Sequence, residues 1–140
     1  MLIDDFSKPA PFAANGARWH FSADTVMGGV SRGTMCCETV DNRPAVRMRG
    51  HVSLDNNGGF VQISLDLASD GSIVDASAFD GLEIDVLGND EHYNLHIRTE
   101  HAVRPWQSYR QTFLAMASWQ TMRLPFKSFV AHRVDNLLDL

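Results

Sequence analysis

Short runs of alternating apolar and polar residues recur along the chain, and clusters of turn residues separate them. Taken in order, they predict strands at Leu2 to Phe6, Arg18 to Phe21, Gly33 to Val40, Ala45 to Val52, Gly59 to Leu67, Gly81 to Leu87, His92 to Thr99, Trp106 to Leu114 and Trp119 to Leu124. The cleanest alternation runs from Ala45 to Val52. There Val46, Met48 and Val52 share one face, and Arg47, Arg49 and His51 the other. Gly88-Asn89-Asp90 lies between two such runs and reads as a hairpin turn. Pro125 is expected to stop the last strand. No stretch keeps a helical period. The best helical pieces are single turns near Ala76 to Phe79 and Phe126 to Phe129. Many short strands with turn clusters between them predict an all-β, antiparallel sandwich or barrel. With no repeat, linker or low-complexity segment, residues 1–140 read as one domain.

Composition changes this picture little. An apolar content of 44% is enough to fill one core. Acidic residues outnumber basic ones, 17 against 12, for a net charge of -5. That balance argues against nucleic acid as a partner, because phosphates need a basic surface. Most of the basic residues are arginine, which keeps local anion sites open. Cys36 and Cys37 are adjacent and would point to opposite faces of a strand, so they make neither a disulfide framework nor a metal knuckle. The N-terminus lacks the basic-then-apolar pattern of a signal peptide, and no apolar run is long enough to span a membrane. The expectation is a cytoplasmic protein with no membrane insertion.

One stretch stands out: Asp24-Thr25-Val26-Met27-Gly28-Gly29-Val30-Ser31-Arg32-Gly33. Asp24 is placed to accept hydrogen bonds from backbone amides a few residues on. Gly28-Gly29 allows positive φ or close approach of another backbone. It is not a phosphate loop, since neither a lysine nor a helix follows the glycines. On physical grounds a tight turn is favoured over a ligand loop.

The motif does not stand alone. It comes after Trp19 and is followed in order by GHVSLDNNGGF (50–60), FDGLEIDVLGN (79–89), Tyr93-Asn94-Leu95 and WQTMRLPFKSF (119–129). This series resembles the CIA30 family, the domain of the complex I intermediate-associated protein of 30 kDa, over nearly the whole chain. The matching positions are Asp24, Met27, Gly28, Gly29, Ser31, Asn57, Gly58, Gly59, Phe60, Gly81, Tyr93, Trp119, Pro125 and Phe129. The resemblance implies a galactose-binding-domain-like β-sandwich of jelly-roll type. It also implies a scaffold or chaperone role in assembling respiratory NADH:ubiquinone oxidoreductase, with complex I subunits or assembly intermediates as protein partners. No catalytic residues come with it. Similar domains continue with further strands after the LPF segment, whereas this chain ends at Leu140. Either the sequence is a fragment or its sheet lacks a strand; a lost strand would leave an uncovered sheet edge, expected to be filled by a partner or a second copy.

Taken together, the candidate ligand- or partner-binding residues are Asp24, Met27, Gly28, Gly29, Ser31, Arg32, Asn57, Gly58, Gly59, Arg98 and Tyr109. The two glycine-rich stretches are expected to pack together, with Met27 buried and Asp24 bonded to backbone. Arg47, Arg49, Arg98 and Arg110 occupy polar strand positions. Convergence of these on one face would suit an anion or sugar acid, with Trp106 and Tyr109 as stacking platforms; pairing with outer carboxylates is the favoured outcome. A carbohydrate- or small-anion-binding module is thus the alternative function. His92, Asn94, His96 and Arg98 share a strand face, but no third metal ligand follows from the spacing, so no metal or cofactor is expected. No GxSxG elbow or marked acid–base pair is present, and the protein is expected not to be an enzyme.

Overall fold

The computed structural model describes residues 1–53, 59–104 and 106–134, apart from the side chains of Val26 and Met27. The chain forms two compact units, Met1–Val74 and Asp75–Leu140. All of their strand pairings are antiparallel. The all-β, antiparallel class expected from the alternation is the class observed.

In the first unit, β1 (His20–Ala23) pairs with β4 (Val61–Ser64), and β2 (Arg32–Val40) pairs with β3 (Arg43–His51). Asp41 and Asn42 join β2 to β3 with φ of 45° and 66°. Two consecutive positive φ values in a two-residue loop match the right-handed twist of the flanking strands. Gly33 faces Gly50 across this hairpin, and the Phe21 ring of β1 sits over Gly33. The absence of side chains there lets β1 approach the hairpin.

The predicted strand at Leu2 to Phe6 does not form. The Asp4 carboxylate explains why. Its Oδ1 accepts the amides of Phe6 at 2.9 Å and Ala14 at 3.0 Å, and its Oδ2 accepts the Trp19 indole N–H at 2.7 Å. Phe6 is drawn to a φ of 61°. A short-range polar pull thus overrides the alternation.

In the second unit, β5 (Gly81–Val86) pairs with β8 (Gln120–Pro125). β6 (Glu91–Ile97), β7 (Ser108–Ala115) and β9 (Val130–His132) form a sheet in the order β6-β7-β9. The predicted hairpin at Gly88-Asn89-Asp90 is therefore corrected, because β5 and β6 do not pair. The amides of Gly88 and Asp90 instead donate to the carbonyls of Met116 (2.6 Å) and Ala115 (2.8 Å), tying the turn to the end of β7. The core of this unit holds Tyr109, Leu124 and Phe129, packed by Leu82, Ile84, Leu95, Ile97, Phe113 and Phe126. The opposite face of β5–β8 is polar: Glu83 pairs with Arg123 at 3.3 Å, and Thr121 donates to Asp85 at 2.6 Å. Pro125 ends β8 as expected, and a single 3-10 turn follows at Phe126–Ser128. The chain then adds β9, a strand that the alternation did not predict.

Candidate functional site

The glycine-rich motif closes around one carboxylate. Asp24–Met27 form a 3-10 turn after β1. Gly28 caps that turn in the left-handed region, at φ 85°, and its amide donates to the Thr25 carbonyl at 3.2 Å. A side chain there would be strained. At Gly29 the constraint is different. A Cβ would collide with the Asp24 carboxyl group, so only glycine lets the loop fold back over it.

Asp24 and Ser31 are fully buried. Oδ1 of Asp24 accepts the Ser31 amide at 2.9 Å. Oδ2 accepts the amides of Gly59 at 2.6 Å and Phe60 at 3.2 Å, together with a very short bond from the Ser31 hydroxyl. The Ser31 oxygen in turn accepts the Ser53 amide at 2.8 Å. The backbone of Asp24 joins in as well, since its amide donates to the Phe60 carbonyl at 3.0 Å. One side chain thereby fastens the turn after β1 to the approach to β4, and Ser31 extends the fastening to the end of β3.

Burial pushes the Asp24 carboxyl up. The Ser31 hydroxyl and the amides of Gly59, Ser31 and Phe60 outweigh it and hold the group below the usual carboxylate range. Bonds to the charged form favour that form. The carboxylate is ionised and engaged by its own chain, a poor arrangement for a general base or a ligand contact. Its cover is thin, because Thr25, Gly28 and Val30 around it are exposed.

The structure brings together Asp24, Gly28, Gly29, Ser31 and Gly59. Arg32 is exposed at the start of β2. Asn57, Gly58 and the Met27 side chain, which was expected to be buried, lie outside the described residues. Ser53 and Phe60 also belong to the fastening. Both lie in the GHVSLDNNGGF segment (50–60), but Ser53 was not among its matching positions, while Phe60 ended the glycine stretch.

Arg98 and Tyr109 do not join this set. Tyr109 has no exposed surface and packs in the core, which corrects its expected role as a stacking platform. It pairs with Ile97, on the apolar side of β7. Arg98 donates to the carbonyls of Ala102 (2.8 Å) and Arg104 (3.0 Å), holding the connection after β6. Arg47 pairs with Glu38 at 2.6 Å, the favoured outcome for a strand arginine. Trp106 is exposed, with the Arg104 guanidinium 5.9 Å from its ring centre. No group of three or more His, Cys, Asp or Glu residues is placed to hold a metal among the described residues.

Fold and site together define an antiparallel all-β protein whose glycine-rich signature is an internal fastening built on a buried aspartate. Residues 5–139 match the family model described as Complex I intermediate-associated protein 30 (CIA30). The chain belongs to the CIA30 family. No curated protein and no solved structure matches it closely enough to extend that comparison.

Proposed function

We propose that this protein is a non-catalytic scaffold domain that binds subunits or assembly intermediates of respiratory NADH:ubiquinone oxidoreductase. The observation that carries this reading is the family match over residues 5–139. The chemistry of the signature supports it. Asp24 and Ser31 are engaged by their own chain, so the most distinctive motif serves shape, not turnover. Exposed apolar side chains, including Ile73, Val103, Trp106 and Val130, give a protein partner something to bury. A partner strand or a second copy adding to a sheet edge, such as β9, is part of this proposal.

The test is deletion of the gene in its native cell, with native gels for assembled complex I and cross-linked pull-down of the tagged protein. Reduced assembly and recovery of complex I subunits are expected. Unchanged assembly together with no recovered subunit would overturn the reading. The alternative, a carbohydrate module, keeps Trp106 as an exposed stacking platform but not Tyr109, which is buried.

A further inference from the structure

One face of the β6–β7–β9 sheet gathers cationic and hydrogen-bonding groups that neither the core nor the signature loop uses. In the antiparallel register, His96 lies opposite Arg110, and Ser108 lies opposite His132. All four side chains therefore stand on the same side of the sheet, with each strand contributing. The His96 and His132 rings meet edge-on over β7, with centroids 5.7 Å apart. The buried Ser108 hydroxyl lies 2.7 Å from His96 Nδ1, which fixes the ring and leaves Nε2 as the nitrogen for a ligand. His96 is exposed, and Arg110 and His132 are half-buried.

The geometry points to a binding site for a small dianionic oxyanion, of the phosphate or phosphomonoester class, held between His96, His132 and the Arg110 guanidinium. The charge balance favours an anion. None of the ion pairs among the described residues involves Arg110. Arg133 follows His132 directly, while Asn94 and Thr112 continue the face as neutral donors and acceptors, bonded to each other at 2.6 Å. A metal cation would meet the guanidinium and find no third ligand among the described residues. A Ser–His nucleophile is also disfavoured, because Ser108 is buried beneath the rings. Burial, the neighbouring His132 and Arg110 hold His96 below the ordinary histidine range; burial, Arg110 and Arg133 do the same to His132. A bound dianion would reverse this repulsion, so protonation of the rings and anion binding must favour each other.

The test is proton NMR of the histidine ring signals of the full chain, titrated against pH in inorganic phosphate and in sodium chloride of equal ionic strength. Phosphate should raise the pKa of both His96 and His132 beyond chloride. Arg110→Gln should weaken phosphate by about tenfold or more, the loss of at least one charged hydrogen bond. Arg110→Lys, which keeps the charge but not the fork, should fall between the two, and His92→Gln should bind as the unaltered protein does. Glycerol phosphate in place of phosphate separates the sources: tighter binding marks an esterified ligand, equal binding the free anion. Equal histidine shifts in phosphate and chloride, or an undiminished phosphate response in both Arg110 variants, would overturn the proposal. None of these outcomes bears on the complex I reading, which stands or falls on the assembly experiment.

Discussion

At the scale of single residues, Asp24 and Gly29 define each other. The carboxylate occupies the space a Cβ at position 29 would need. Gly29→Ala should lower stability by about 1–3 kcal/mol, as overpacking does, measured by urea denaturation. Asp24→Asn keeps the shape but replaces acceptor oxygens with an amide that cannot accept every amide aimed at it. Its effect should show as a lower melting temperature and an altered acid limb. Because the folded pKa of Asp24 is depressed, its contribution is fully present above about 3.9, the ordinary Asp value, and is lost as pH falls through the lower folded value. Acid unfolding of the Asn variant should therefore be less steep in that window. Parallel acid limbs for the two proteins would contradict the assignment. On the inner face of β7, the buried Gln111 Oε1 has no partner among the described residues. Gln111→Leu should raise stability by about 1 kcal/mol, read from the denaturation midpoint.

At the scale of elements, local chemistry decided which alternating runs became strands. The β2–β3 hairpin lies close to its predicted strands because alternation and turn agree. Its loop places Asn42 at φ 66°, where glycine is better still. Asn42→Gly should stabilise by about 0.5 kcal/mol, checked by thermal unfolding. Leu2 to Phe6 carried the same alternation but lay within reach of Asp4, whose side chain captured the amides a ladder would have used. Gly88-Asn89-Asp90 carried hairpin residues but bonded to the end of β7. Glycine and asparagine specify a bend, not the strand that will be met after it. β9 escaped prediction because a three-residue strand has too few positions to show a period.

At the scale of the whole molecule, the net charge of -5 says nothing of the sheet face on which Arg110 stands beside His96 and His132. The depressed His96 and His132 values have a stability consequence with a definite sign. Their contribution is fully present above about 6.5, the unperturbed histidine value, and is lost as pH falls through the folded values. Chloride-buffered protein should thus melt lower in mildly acid than in neutral buffer. For the scaffold reading, the extent of complex I assembly in complemented cells should track the amount of folded protein across Asp24→Asn, Gly29→Ala and unaltered protein. An Asp24→Asn protein at normal folded levels that supports no assembly would point instead to chemistry at that carboxylate.

The sequence by itself determined the β class, since period-two alternation needs only neighbouring residues to be read. It also determined the family, since the signature's glycines and aspartate are linear features. That Asp24 would reach Gly59 and Phe60 was suggested by the two glycine stretches, but which atoms met depended on loops brought together from distant positions. Tyr109 shows the limit most plainly. Its parity in the strand placed it beside Ile97, yet the side on which the core would form was settled only when β5 and β8 supplied an apolar partner face. The His96–Ser108–Arg110–His132 face was likewise invisible before folding. It joins β6 and β7 to β9, which lies beyond β8 in the chain, and cross-strand register is a property of hydrogen-bonded pairing that no spacing along one strand contains.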